Sequence, residues 1–232
     1  MNRQDQNAVY LAVASEAERV SQWQEFAIYC RLREQGLRKE AFVHLQAFLS
    51  EATRWEFSKQ REFIFWLCAK IEKTCDTGVL YPNPLKTTLF APFFDEWQRQ
   101  EPSSDEANAL RAQYLVEPNG YYRAIEINPH NQRARIALAE NCLYDLWYAT
   151  HHLPEFFIGS ETEATKTAEE AKSHIGEIED SDRRESLEME LRQHQQLLHD
   201  WIAFKEEGSD DFNAWCLRKG HRYPWVAAYY YA

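Results

Sequence analysis

The sequence predicts an all-α protein, an array of antiparallel helix pairs with about nine to ten helices. Three observations point there. Apolar residues recur three and four positions apart along most of the chain, and no stretch alternates with period two and then runs into a hairpin signal. The 232 residues include only 7 Gly and 8 Pro, about half the usual share. Every glycine except Gly176 stands where a helical pattern starts or stops, and prolines cluster at the same breaks. Finally, Ser15-x-x-Glu18, Ser103-x-x-Glu106 and Ser160-x-x-Glu163 have the form of capping boxes, in which a hydroxyl and a carboxylate satisfy the free N–H groups of a helix start.

The elements follow in order. Near the N-terminus, Ala8 to Ala14 is a short apolar run ending Ala12-Val13-Ala14. Its length is at the lower limit for a secretory signal and Asp5 precedes it, so it reads as part of the folded chain. Trp23 to Glu34 forms a helix with Ile28 and Leu32 facing in, and Gly36 ends it. Ala41, Leu45, Phe48 and Ala52 make the next stripe. Ile64, Leu67, Cys68, Ile71 and Cys75 make another, with a break at Gly78. Breaks at Pro102, Pro129 and Pro154 frame a third stripe, Ile136, Ala139, Leu143 and Leu146.

Beyond Pro154 the pattern changes. From Ile158 to Asp200 there is no Phe, Trp or Tyr, although aromatics are 14% of the chain. Ala164, Ala168, Ala171, Ile175 and Ile178 step by four and three, as do Leu187, Leu191, His194, Leu198 and Trp201. These are narrow heptad seams, and Asp180-Ser181 lies between them with Asp182-x-x-Glu185 available as a cap. The expected structure is an antiparallel hairpin near 163–179 and 182–206, followed by a break at Gly208. The division expected is a repeat-like core over 1–155 and, over 156–232, this hairpin with a C-terminal helix and an aromatic tail, packed as one domain.

Charge follows the same division. The formal net charge is −11, and residues 155–211 alone hold 17 acidic and 6 basic side chains. That surplus matches the whole chain's imbalance, so the hairpin carries an acidic outer face. It either solvates two helices or attracts a basic partner. A chain of this charge repels phosphate backbones, which excludes a nucleic-acid role. The longest uncharged stretches are about ten residues, short of the roughly 20 a spanning helix needs. Five cysteines without a C-x-x-C pair read as reduced, mostly buried thiols, and the expected location is the cytoplasm.

Two stretches resemble tetratricopeptide repeats. Gly36-Leu-Arg-Lys-Glu-Ala41-Phe-Val-His-Leu45-Gln-Ala-Phe48 is similar to that repeat's inter-helix glycine and second helix. Tyr121-Tyr-Arg-Ala124-Ile-Glu-Ile-Asn-Pro129-His-Asn131 is similar to a repeat's end, and Ala134, Leu138, Ala139 and Cys142 to the start of the next. The match spans about 70 residues. The resemblance implies stacked helix pairs with a groove lined by Trp23, Phe26, Cys30 and Arg33, then Arg133, Ile136, Glu140 and Tyr144. Family members that bind chaperone tails hold a carboxylate with Lys and Asn. Here those positions are Phe26, Cys30, Ile136 and Glu140, which excludes that ligand.

No Gly-rich phosphate loop, H-E-x-x-H or G-x-S-x-G is present. His151-His152 is the most metal-like local feature, but adjacent residues on a helix end point about 100° apart. Glu170/His174 and Glu190/His194 are i,i+4 pairs. His194 lies among leucines, either as a partly buried, hydrogen-bonded histidine or as a pH-sensitive hinge in the acidic hairpin. At the C-terminus, His221-Arg-Tyr223-Pro-Trp225-Val-Ala-Ala-Tyr229-Tyr-Tyr231-Ala either packs back on the chain, with Trp225 as anchor, or forms an interface.

The function expected is a protein-interaction module or adaptor for a basic partner, without catalysis, cofactor or metal. An immunity protein that neutralises a toxin is the alternative, and an enzyme with a non-standard helical site the weaker one. Candidate binding residues are Trp23, Phe26, Arg33, Arg133, Glu140 and Tyr144 in the groove. To these are added Glu169, Glu170, Glu177 and Glu188 on the hairpin, and Tyr223 and Trp225 in the tail.

Overall fold

A computed structural model describes residues 3–74 and 79–223. Among the described residues there are eleven helices and no strand. Two compact units are formed, Met1–Glu117 and Pro118–Ala232. Within the second unit, the helix over 132–150 buries its stripe against the two helices that follow it.

The first unit holds α1 (Arg3–Ala17), a 3-10 turn (Ser21–Trp23), α2 (Gln24–Glu34), α3 (Arg38–Ala52), α4 (Phe57–Ile71), α5 (residues 83–100) and α6 (Asp105–Leu115). Tyr10, Val13, Ala14 and Ala17 carry the apolar stripe of α1 through Ser15. Ser15-x-x-Glu18 therefore lies at a helix end and caps nothing; Glu18 pairs instead with Arg31 on α2. At Gly36, φ is +80°. There Leu37 N–H reaches Leu32 O (2.9 Å) and Gly36 N–H reaches Arg33 O (3.1 Å), which closes the carbonyls of α2 in a Schellman motif. Ala41, Leu45, Phe48 and Ala52 are all buried, as are Ile64, Leu67, Cys68 and Ile71. Cys75 and the break at Gly78 lie outside the described residues.

Helix α5 runs through Asn83–Leu85, a π-helical turn Lys86–Phe90 and Ala91–Gln100. Pro84 sits in the first turn, where a missing N–H is harmless. Pro92 sits inside the helix and has no N–H for the carbonyl four residues back, and the register widens just before it. Ser104, not Ser103, caps α6 by accepting from Ala107 N–H at 3.2 Å. The core between these helices is aromatic. Phe63 lies 4.6 Å from Phe48, 5.1 Å from Phe26 and 5.4 Å from Trp23, ring centre to ring centre. Glu16 ties α1 to α4 through Lys70 (2.6 Å) and the Trp66 indole (3.2 Å).

The second unit holds α7 (Asn119–Ile127), α8 (Gln132–Thr150), α9 (Glu161–Gly176), α10 (Ser181–Glu207) and α11 (Phe212–Lys219). Asn131 caps α8 by accepting from Ala134 N–H at 2.9 Å, and Ser160 caps α9 at Glu163 N–H as expected. Gly176 is the last residue of α9. The cap of α10 is Asp180, which accepts from Asp182 and Arg183 N–H at 3.0 Å. Asp182, the expected cap, is thereby inside the first turn.

All five seam positions of α9 and its connection are buried, as are Leu187, Leu191 and Leu198 of α10. They share one cluster with Ala139, Cys142, Leu143 and Leu146 of α8. The hairpin is thus two members of a three-helix bundle, and α8 covers the seam. A second cluster joins Leu153, Leu197, Trp201, Phe212, Trp215 and Cys216 at the far end of α10. Cys30, Cys68, Cys142 and Cys216 are buried. Among the described residues, no helix is long and apolar enough to cross a membrane.

Candidate functional site

The α2 residues assigned to a groove are core residues. Phe26 and Cys30 are fully buried and Trp23 nearly so. The resemblance began the first helix pair at α2, but α1 packs on α2 and rings of α4 close over Trp23 and Phe26. Ile28, expected inside, is exposed, and Leu32 is half-buried. The Arg33 guanidinium lies 5.2 Å from the Tyr10 ring centre, 5.8 Å from Tyr29 and 5.9 Å from Phe42. It also donates to Tyr29 Oη at 3.1 Å. Its role here is to clamp α1, α2 and α3 by cation–π contact.

In the second unit the candidates separate onto different faces. Arg133, Glu140 and Tyr144 are exposed on α8, with Glu140 paired to Arg183 of α10. Glu169, Glu170 and Glu177 are exposed on α9 and its end, whereas Glu188 is half-buried, 3.6 Å from Arg192. Tyr223 is half-buried and donates its hydroxyl to Asp200 at 2.5 Å. Trp225 and the rest of the tail lie outside the described residues.

A surface that the sequence reading passed over lies on the far side of α8. Leu143, Leu146 and Ala149 face the bundle, so Tyr144, Trp147, Tyr148 and His151 share the opposite face at i, i+3, i+4 and i+7. Tyr144, Trp147 and Tyr148 are 61%, 45% and 49% exposed. Their rings form a ladder. Tyr144 lies 5.5 Å from Trp147, Trp147 stacks on His151 at 4.8 Å, His151 lies 4.2 Å from His152, and His152 stacks on Phe156 at 4.7 Å. The signal was available as helical spacing, but it sat on the polar side of a stripe already assigned to the core.

Trp147 also walls an open cleft of about 420 Å³ against α10, lined by Ser186, Met189, Glu190, Gln193 and His194. A smaller hollow continues it past Tyr144, Arg183 and Glu140. His194 is largely buried, its Nδ1 has no hydrogen-bond partner, and Nε2 lies 4.0 Å from Glu190. Burial holds its pKa below the usual histidine value, so the ring is neutral at pH 7. The expected partial burial of His194 is thus present, while its Nδ1 is without a hydrogen bond.

Two polar networks flank the bundle. Glu170 accepts from Tyr122 Oη at 2.9 Å and lies 3.6 Å from the buried His174, whose Nδ1 meets Arg135 at 3.0 Å. Desolvation, then the Arg135 charge, lowers the His174 pKa. Desolvation, then Glu170, raises that of Asp145. At the other end, the buried Asp200 receives Tyr223, His221 Nδ1 (2.7 Å) and Gln196 (3.1 Å), which fastens the segment after α11.

The described residues place no three His, Cys, Asp or Glu side chains where they could hold a metal ion. Comparison with protein-family models, with characterised proteins and with solved structures returned no match.

Proposed function

We propose that this protein is a tetratricopeptide-like interaction module of the cytoplasm that binds a basic protein partner and performs no chemistry of its own. The observation that carries this reading is the acidic outer face of α9 and α10. Glu163, Glu169, Glu177, Glu179, Asp182 and Glu185 are all exposed there, within a segment of 17 acidic and 6 basic residues. The consecutive packing of α1 on α2, α2 on α3 and α8 on α9 supports a stacked array of helix pairs.

Such a face accelerates encounter with a cation-bearing partner more than it slows escape. Its reach shrinks as the Debye length falls from about 10 Å at 0.1 M salt to about 3 Å at 1 M. The test is association kinetics with a captured partner. Charge reversal at Glu169 and Glu177 is the cleanest probe, because Glu170 also serves Tyr122 and Glu188 also serves Arg192. The four reversals together should lower the association rate about tenfold at low salt, and much less at 1 M. An association rate indifferent to both salt and reversal would remove the acidic face from function.

A further inference from the structure

We propose that the cleft between α8 and α10 is the docking site for an arginine of the basic partner, with the Trp147 ring as its platform and Glu190 as its counter-charge. This rests on the interaction-module reading and assigns it a surface.

Four features of the second unit converge on the cleft. The first is the ring ladder from Tyr144 and Trp147 on α8 to Phe156 in the turn that follows it, exposed at those three rings. Exposed aromatic rings with polar edges are the side chains most enriched at interface hot spots. The second is Glu190, a half-exposed carboxylate whose only ion-pair neighbour among the described residues is His194. That ring is neutral, so the carboxylate charge stays uncompensated beside the Trp147 indole. The third is the state of the remaining charges. Arg183 is already paired with Glu140, so it does not offset Glu190. The fourth is the adjoining hollow past Met189 and Gln193, lined by Arg192 and Arg222. Arg192 is paired with Glu188, so it is Arg222 that disfavours a cation there and directs one to the Trp147–Glu190 end.

The chemistry of the occupant follows. A planar cation stacks on an indole face by cation–π attraction, and its edge is free to donate two hydrogen bonds to a carboxylate. A guanidinium does both at once, whereas an ammonium lacks the plane. Apolar side chains on either side of that arginine would then rest on Tyr148 and Phe156 at one end and Met189 at the other, all about half exposed.

The experiment uses the full chain and a defined probe, an acetylated and amidated peptide of alternating Arg and Leu. Its citrulline and lysine counterparts are the controls. Indole N–H signals are followed by two-dimensional NMR, with Trp147 assigned by Trp147→Phe. The arginine peptide should move the Trp147 signal saturably, the lysine peptide should bind more weakly and the citrulline peptide should not bind. Glu190→Gln should weaken arginine-peptide binding about three- to fivefold, and Glu169→Lys should change it less.

Equal binding of the citrulline peptide would overturn the proposal. So would shifts confined to α9 with Trp147 unmoved, which would leave the acidic-face reading standing and remove this site alone. A Trp147 signal that moves on dilution of the free protein would make a second copy of the chain the occupant. One that moves with Trp225→Ala would make the chain's own last residues the occupant. Both outcomes defeat the proposal.

Discussion

The two units use aromatic side chains in opposite ways. In the first unit the rings are the core: Phe26, Tyr29, Phe48, Phe63, Phe90, Phe93, Phe94 and Trp97 are fully buried. In the second unit the three-helix bundle is closed by Ala, Ile and Leu, and the α8 rings lie outside it. Alanines at 164, 168 and 171 bring the helices close and leave no room for rings between them. Large aromatics of this unit can then only turn outward, as those of α8 do, or gather at the bundle end, as Trp201 of α10 and Phe212 and Trp215 of α11 do. Identical residue types are thus structural in one unit and available for contact in the other. The surrounding side-chain volume decides which.

Substitutions can break that contrast, the largest effect first. Phe63→Ala removes the ring that touches Trp23, Phe26, Phe48, Trp55 and Trp66. It should cost about 3–5 kcal/mol in urea unfolding, through a cavity that the stiff neighbouring rings cannot fill. Ala171→Leu puts volume into the narrow seam at a fully buried site, and should cost about 1–3 kcal/mol by overpacking. If the seam accepts leucine without loss, close helix approach is not what expels the rings.

A smaller effect of opposite sign is expected at Asp145. Burial first, and the Glu170 charge second, hold its carboxyl above the ordinary value of 3.8. A raised carboxyl favours the folded state below the unfolded pKa, and that advantage is lost as pH rises through the folded one. Asp145→Asn should therefore raise the melting temperature at pH 7, and the gain should shrink as pH falls through the raised folded value and be gone below 3.8. A gain that is independent of pH would place its cause in packing and not in charge. The smallest effect is expected at Trp147. Its ring is nearly half exposed, so Trp147→Ala should change stability by no more than about 0.5–1 kcal/mol. A loss comparable to that of Phe63→Ala would erase the contrast between the two units.

Much of the fold was legible because helical spacing is a local property. The stripes at 41–52 and 64–71 and the seams at 164–178 and 187–198 are buried as their spacing requires. Ser160 was legible as a cap because a hydrophobic seam starts directly after it. Ser15 misled because a capping pattern of two residues carries no record of the helix already running through it. The groove was misread for a related reason. Phe26 has the spacing of a helix face, but spacing does not say whether α1 and α4 lie over that face. The ladder on α8 was overlooked because Leu143 and Leu146 already explained the helix, and exposure of its other face depends on what packs there.

The sequence by itself determined that the chain is helical, where most helices break, and that acid collects over 155–211. These follow from backbone chemistry, side-chain period and charge count, which neighbours distant in the chain do not alter. Only the tertiary structure decided that α8 completes the acidic hairpin as a three-helix bundle and that the units divide at Glu117/Pro118. It alone decided that Trp23 and Phe26 are core while Tyr144 and Trp147 face solvent. Each of these is a matter of which surface finds a partner, and burial is settled by volumes and contacts between segments far apart in the chain.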